Sequence, residues 1–214
     1  MELINTDAEN YAIANTSLQN EVLQKIYSDT LRNHQQAHMM SSDVQGRFLA
    51  MMSKLLLPKY ILEIGTFTGF SAICLAEGLQ ENGELHTIEL REEDAHTCAE
   101  NFALAQMDNK IHLHTGNAKN IIPTLNYTWD IVFIDADKTG YIEYYEMVLP
   151  RLNKNGLIIA DNVLFHGEVL EENIKGKNAI AIDAFNKHVA ADERTEQVML
   201  TIRDGLLLIK KKKQ

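Results

Sequence analysis

Two short acidic clusters carry the side chains best suited to chemistry. Asp135-Ala136-Asp137-Lys138 follows the apolar run DIVFI, and Asp161-Asn162 follows LIIA, so each cluster stands where a β-like run ends. If the two runs are neighbouring parallel strands, about 4.8 Å apart, then Asp135, Asp161 and Asn162 converge as two carboxylates and one amide oxygen. That hard-oxygen set suits Mg2+, Mn2+ or Ca2+ and does not suit structural zinc. Three protein ligands leave coordination positions for substrate and water. Taken singly, each cluster also fits an ordinary helix N-cap. Lys138 lies three residues past Asp135 and can face the same cleft. A divalent cation beside a lysine disfavours its ammonium form and leaves an amine able to act as general base, the alternative being a solvated surface lysine. His166 follows the Asp161-Asn162 corner and can line a substrate mouth or be a plain loop histidine.

A third segment, Glu63-Ile64-Gly65-Thr66-Phe67-Thr68-Gly69-Phe70-Ser71, leaves an apolar strand and opens a helix. Loops of that kind lie at the carboxyl edge of a parallel sheet, where open α/β folds bind ligands. Gly65 permits close approach of a ligand to the main chain, and Gly69 eases packing of the next helix. The spacing GxxxG differs from the GxGxxG of dinucleotide sites, and the GK[ST] of a phosphate loop is missing. Glu63 at the loop's mouth repels pyrophosphate but accepts bonds from a cationic ligand. Glu89 ends the next strand, where an acid can take both ribose hydroxyls. Together the two acids suit an adenosine carrying positive charge, as S-adenosylmethionine does; a tight β-to-α turn with surface acids is the competing interpretation. His112 and His114 alternate on one strand and share a face, an arrangement more typical of a strand surface than of a metal site.

The elements that must position these residues follow from periodicity. Leu18, Val22, Leu23, Ile26 and Leu31, then Val44, Phe48, Met51, Met52 and Leu55, recur at helical spacing. From Tyr60 onward, β-like runs at 60–64, 84–89, 111–115, 130–135 and 157–161 alternate with helical stretches around 71–80, 92–107, 117–125 and 140–152. Such alternation predicts an α/β fold with a parallel sheet covered by helices. QVMLTI and GLLLIK flank Arg203-Asp204-Gly205 and predict a hairpin that adds an antiparallel pair. The polar stretch 166–177 predicts a loop over the site.

Length and composition bound the rest. A chain of 214 residues with 45% hydrophobic and 23% charged residues predicts one globular domain over 1–214. The net charge of −10 opposes attraction to nucleic-acid phosphates and anionic lipid, although Lys210 to Lys213 form a local basic run. Cys74 and Cys98 lack CxxC spacing and predict free, buried or half-buried thiols. No apolar stretch is long enough to cross a bilayer, and MELINTDAENYA has neither a basic nor an apolar leader region, which predicts a cytoplasmic protein.

Considered together, these residues resemble the cation-dependent class I O-methyltransferases, which include the catechol and caffeoyl-CoA O-methyltransferases. The similarity runs from about Met39 to the C-terminus through MMSSDVQGRFLAMM, LEIGTFTGFSA, IEL, IDADKTGYIEYY and LIIADNVLFHGEV. It implies a Rossmann-like, seven-stranded, mostly parallel sheet with an antiparallel C-terminal hairpin strand and helices on both faces. Residues 1–57 would be N-terminal helices covering cofactor and substrate, and the molecule a homodimer. The resemblance places Ser41, Glu63, Gly65, Thr66, Ser71, Glu89, Ala118, Asp135 and Asp137 around S-adenosylmethionine. It makes Asp135, Asp161 and Asn162 the ligands of a divalent cation, Mg2+ first among the candidates, Lys138 the catalytic base, and Lys138 with His166 the substrate-facing pair. Ala136-Asp137 stands where the catechol enzyme has a bulky His-Trp pair, nearer the caffeoyl-CoA and bacterial branch; basic N-terminal residues for a CoA ester are not evident. The implied reaction is methylation of a hydroxyl on a catechol-like small molecule. Methylation of 5-hydroxyuridine in tRNA is the alternative, disfavoured by the acidic balance, and an NAD-dependent dehydrogenase lacks its GxGxxG.

Overall fold

The computed structural model describes residues 5–212. Three helices come first: α1 (Thr6–Ala14), α2 (Glu21–Asn33) and α3 (Asp43–Leu56). Strands and helices then alternate as β1 (Tyr60–Ile64), α4 (Phe70–Ala76), β2 (Glu84–Glu89), α5 (Glu92–Leu104), β3 (Ile111–Thr115), α6 (Ala118–Ile121), β4 (Trp129–Ile134), α7 (Tyr141–Val148), β5 (Leu152–Asp161) and α8 (Lys177–Ala190). The hairpin β6 (Thr195–Leu200) and β7 (Leu206–Lys211) completes the order.

The strands form one seven-stranded sheet in the order β3-β2-β1-β4-β5-β7-β6. Strands β1 to β5 pair in parallel, and β7 inserts antiparallel between β5 and β6. The chain winds outward from β1 through β2 to β3, then restarts on the other side of β1 with β4. That reversal is a topological switch point, where the carboxyl ends of open α/β sheets leave a crevice. Ile64 is level with Ile134, and Ile134 with Ala160, so the loops after β1, β4 and β5 leave the sheet side by side.

Because strand side chains alternate between faces, each central strand feeds two cores. Leu62, Ile64, Val132, Ile134 and Ile158 pack under α7 and α8 with Trp129, Tyr145 and Phe185. Ile61, Ile131, Phe133 and Ile159 pack under α2 to α5 with Leu49, Phe70 and Phe102. Both faces are therefore apolar, which is why these strands are near-continuous hydrophobic runs in the sequence. Cys74 and Cys98 are free thiols within the second core. No described helix is long and apolar enough to cross a membrane.

Several expectations shift. Leu18 lies before α2, 83% exposed, and Leu31 on α2 is 51% exposed, so the apolar stripe of that helix is Leu23 and Ile26. The stretch 117–125 makes only α6 before Pro123 turns the chain into a 3-10 segment, and the stretch 140–152 ends as α7 before Pro150 does the same. β5 starts at Leu152 rather than 157, with a register shift opposite Trp129 to Ile131. The 166–177 loop carries a kinked 3-10 segment, Phe165–Leu170. Helix α8 has no counterpart in the periodicity analysis, although Ala179, Ile182, Phe185 and Val189 form its buried stripe. The basic C-terminal run is described only as far as Lys212, so Lys213 lies outside the described residues, as do Met1 to Ile4.

Candidate active site

A cavity of about 970 Å³ opens over the carboxyl ends of β1, β2, β4 and β5. Ser41, Gly65, Thr66, Ser71, Glu89, Ala118, Asp135, Asp137, Lys138, Asn162 and His166 all line it. Two expected residues do not: Glu63 and Asp161 are buried behind its wall.

The loop after β1 forms the floor. Gly65 has φ +93°, and a Cβ on it would sit 1.9 Å from the carbonyl oxygen of Asp135. The glycine is thus demanded by the neighbouring β4 loop, a cause different from the ligand approach expected of it. Gly69, at φ +88°, places the start of α4 against Phe102, whose ring would lie 2.6 Å from an added Cβ, in line with its expected packing role. Glu89 accepts the backbone N–H groups of Thr66 (3.2 Å), Phe67 (2.8 Å) and Arg91 (2.9 Å), tying this loop to the end of β2 while still facing the cavity.

Glu63 departs from expectation in charge as well as position. Its carboxyl accepts hydrogen bonds from Ser71 Oγ (2.6 Å) and Thr87 Oγ1 (2.5 Å) with no solvent exposure. Burial pushes its pKa up to about 8, so at neutral pH it is mostly a neutral acid. It props Ser71 beneath the cavity and offers no negative counter-charge to a ligand.

At the switch point, β4 and β5 are neighbours and their two acidic clusters meet. Lys138 Nζ donates to Asp135 Oδ1 (2.9 Å), Tyr141 Oη (2.8 Å) and Asn162 Oδ1 (2.7 Å). Asp161 stands behind them. Its carboxylate accepts from Gln45 Nε2 (2.5 Å) and from the backbone N–H of Asn162 (2.6 Å). Burial, reinforced by the charge of Asp135, raises its pKa to about 7. Asp137 faces the cavity and accepts from Thr139 Oγ1 (3.2 Å) and from the Tyr144 hydroxyl. His166 is at the mouth, with a side chain 73% exposed.

A cation already has a place in this geometry. The ammonium of Lys138 sits among oxygens of Asp135, Asn162 and Tyr141, so the donor set fits a hard cation. Among the described residues no group of three or more His, Cys, Asp or Glu could hold a metal ion; the expected set holds only two carboxylates and completes itself with an amide. Lys138 is a donor in this arrangement. Burial works to lower its pKa, but Asp135 and Tyr141 outweigh burial and leave it above the ordinary lysine range.

Three contributors escaped the sequence analysis. Tyr141 lies three residues beyond Lys138, a helical spacing that brings its hydroxyl back to the cluster. Gln45 lies 116 residues from its partner Asp161, and no local pattern announces that contact. Asp204, taken only as a turn residue, accepts from Asn162 Nδ2 (3.2 Å) and from the backbone N–H of His166 (2.6 Å).

An open, doubly covered α/β sheet with a ligand-sized cleft at its switch point, and a lysine and acids on the rim, defines a class of Rossmann-like enzymes that seat a nucleoside-bearing cofactor against a second reactant. The chain belongs to the O-methyltransferase family, whose family model matches residues 13–212. It is 33% identical over 213 residues to a probable caffeoyl-CoA O-methyltransferase 1 of Dictyostelium discoideum, covering 97% of this chain and 93% of that protein. It is 37% identical over 161 residues to a catechol O-methyltransferase of Niastella koreensis, covering 73% and 72%. Among solved structures, the SAH-bound methyltransferase PaMTH1 of Podospora anserina superposes with a TM-score of 0.90 at 27% identity, covering 98% of this chain and 97% of that one. An O-methyltransferase of Bacillus cereus in complex with SAH gives 0.89 at 28%, covering 97% and 98%. The expected family and the expected sheet, parallel with an antiparallel hairpin at one side, are those of the molecule.

Proposed function

We propose that this S-adenosylmethionine-dependent O-methyltransferase methylates a hydroxyl of a catechol-like vicinal diphenol with the help of a divalent cation, Mg2+ before Mn2+ or Ca2+. One observation carries the proposal: an ammonium group is held 2.7–2.9 Å from oxygens of Asp135, Asn162 and Tyr141 on the rim of the cavity that the Gly65 loop floors. Catechol and caffeoyl-CoA O-methyltransferases among the relatives, and SAH in two structural neighbours, agree with it.

S-adenosylmethionine supplies a methyl already activated on sulfonium. Asp135, Asp161 and Asn162 would hold a divalent cation, whose charge would lower the pKa of a diphenol hydroxyl. Ser41, Thr66, Ser71, Glu89, Ala118 and Asp137 seat the nucleoside and amino-acid ends of the donor, with Gly65 shaping the loop between them. Glu63 acts beneath them through Ser71. With a cation in that place, Lys138 would lose Asp135 and Asn162 as partners, release one ammonium proton to solvent, and as the neutral amine take the hydroxyl proton at Nζ. His166, at the open mouth, contacts the acceptor ring. Positioning does the remaining work, holding the oxyanion in line with the methyl group.

Homodimerisation and a cytoplasmic location belong to the same proposal. Exposed Met51 and Leu55 on α3 leave an apolar strip for a second copy, whereas the location rests on the sequence alone. Methyl transfer should be screened across diphenols, their CoA esters and tRNA bearing 5-hydroxyuridine, with Mg2+ added or removed by EDTA. The expected product is a monomethylated diphenol formed only with Mg2+. Full turnover in EDTA would remove the cation from the mechanism, and turnover confined to tRNA would replace the acceptor.

A further inference from the structure

We propose that Asp204, in the turn between β6 and β7, is a positioning residue that orients the Asn162 amide toward the cation cluster and sets His166 at the mouth in the same act. The inference rests on the cation assignment proposed above.

The argument starts from what an amide can do. Asn162 can present either its oxygen or its NH2 group to the cluster, and only the oxygen can ligate a cation. Asp204 decides between them. Its carboxylate, which only accepts, lies 3.2 Å from Asn162 Nδ2, so the NH2 group is drawn away from the cavity and Oδ1 is left facing Lys138 at 2.7 Å. The other carboxylate oxygen takes the backbone N–H of His166 at 2.6 Å. Main-chain bonds complete the staple: Leu164 N–H donates to Asp204 O (2.9 Å) and Val163 N–H to Gly205 O (3.2 Å).

The segment so held needs holding. Asn162, Phe165 and His166 have φ of 57°, 43° and 55°, so three non-glycine residues of one short corner occupy the left-handed region. Such conformations persist where surrounding structure imposes them, and they gather at ligand sites. Asp204 is 7% exposed, and its bonds reach both ends of the corner. An isosteric amide cannot replace it, because Asp204→Asn offers one acceptor oxygen to two donors and turns its own NH2 group against one of them.

The test measures Mn2+ binding in the absence of any acceptor, by the electron paramagnetic resonance of the free ion, in wild type, Asp204→Asn and Asp204→Glu. S-adenosylhomocysteine binding by calorimetry and thermal unfolding are followed in parallel. Loss of an outer partner of a metal ligand costs about 10- to 100-fold in metal affinity. Asp204→Asn is therefore expected to weaken Mn2+ binding by about that factor while S-adenosylhomocysteine affinity stays within about twofold. Asp204→Glu, which keeps two acceptors, should fall between wild type and Asp204→Asn and carries the test if the amide variant fails to fold. Unchanged Mn2+ affinity in both variants overturns the inference and leaves the cation assignment standing. Parallel loss of Mn2+ and S-adenosylhomocysteine binding also overturns it, since Asp204 would then be a general staple of the fold. A wild-type protein that binds no Mn2+ overturns the cation assignment itself, and the inference with it.

Discussion

Two regions of the molecule crowd titratable side chains together, and they do opposite things with them. At the carboxyl ends of β4 and β5, Asp135, Asp161, Asn162, Lys138 and Tyr141 bring unlike charges to the wall of a large cavity. On one face of β2 and β3, His86, His112 and His114 stack with ring centroids 5.0 and 5.4 Å from His86, and His86 also packs on Tyr127 and Trp129. His86 Nδ1 lies 3.1 Å from His114 Nε2, and Glu84 is the acid beside them. None of the three histidines lines the cavity. Burial, and then His112, lower the pKa of His86 to about 4, so near neutrality His86 is a neutral ring packed among aromatic neighbours. Crowding alone therefore does not mark a candidate site; opposite charges meeting at a concave switch point do.

The sharpest way to break the comparison is to remove chemistry from the rim. Lys138→Ala should retain cofactor binding and lose roughly 10²- to 10⁴-fold in kcat, the usual worth of a general base, measured by steady-state methyl transfer beside calorimetry with S-adenosylhomocysteine. Asp161→Ala should reduce turnover at fixed Mg2+ by a comparable factor and raise the Mg2+ concentration needed for half-maximal rate. Turnover at the wild-type level in Lys138→Ala would make the rim no more catalytic than the histidine patch.

A smaller effect should come from the floor. Gly65→Ala puts a methyl group against the Asp135 carbonyl at a positive φ, and should cost roughly 3 kcal/mol in stability by chemical denaturation. Comparable in size, but confined to the alkaline side, is the change at Glu63. Its pKa is about 8 in the fold against an ordinary 4.5, so its contribution to stability is full below pH 4.5 and is lost as pH rises toward 8. Glu63→Gln should abolish that slope, gaining roughly 3 to 4 kcal/mol over wild type at pH 8 relative to pH 5.

The smallest effect belongs to the patch. With its pKa lowered from 6.5 to about 4, His86 contributes stability that is complete above pH 6.5 and drains away as pH falls toward 4. His86→Phe should flatten that part of the stability profile by on the order of 1 kcal/mol and leave kcat within about twofold. A large loss of turnover in this variant would show that the two regions are coupled.

Legibility differed between these regions for a physical reason. The acids and lysine of the rim follow strand ends directly, so periodicity located them to the residue. His112 and His114 showed their common face through alternation, but His86 came to them only through the β2–β3 register, which pairs His86 with His112 across two strands. Glu63 was visible as a residue and not as a charge state, because its neutrality depends on Ser71 and Thr87 closing over it.

By itself the sequence determined the alternation of strand and helix, the acids and lysine at strand ends, the glycine turn after β1 and the family to which the chain belongs. These are properties of short segments, carried by local periodicity and by the types of adjacent residues. Only the tertiary structure decided that Glu63 faces inward, that Gly65 answers to the Asp135 carbonyl, that Lys138 stands among three oxygens as a cation, and that Gln45 and Asp204 hold Asp161 and Asn162 at the β5 corner. Each of these depends on a contact between residues far apart in the chain or on a pKa set by buried surroundings, and neither exists until the sheet has brought its strand ends level.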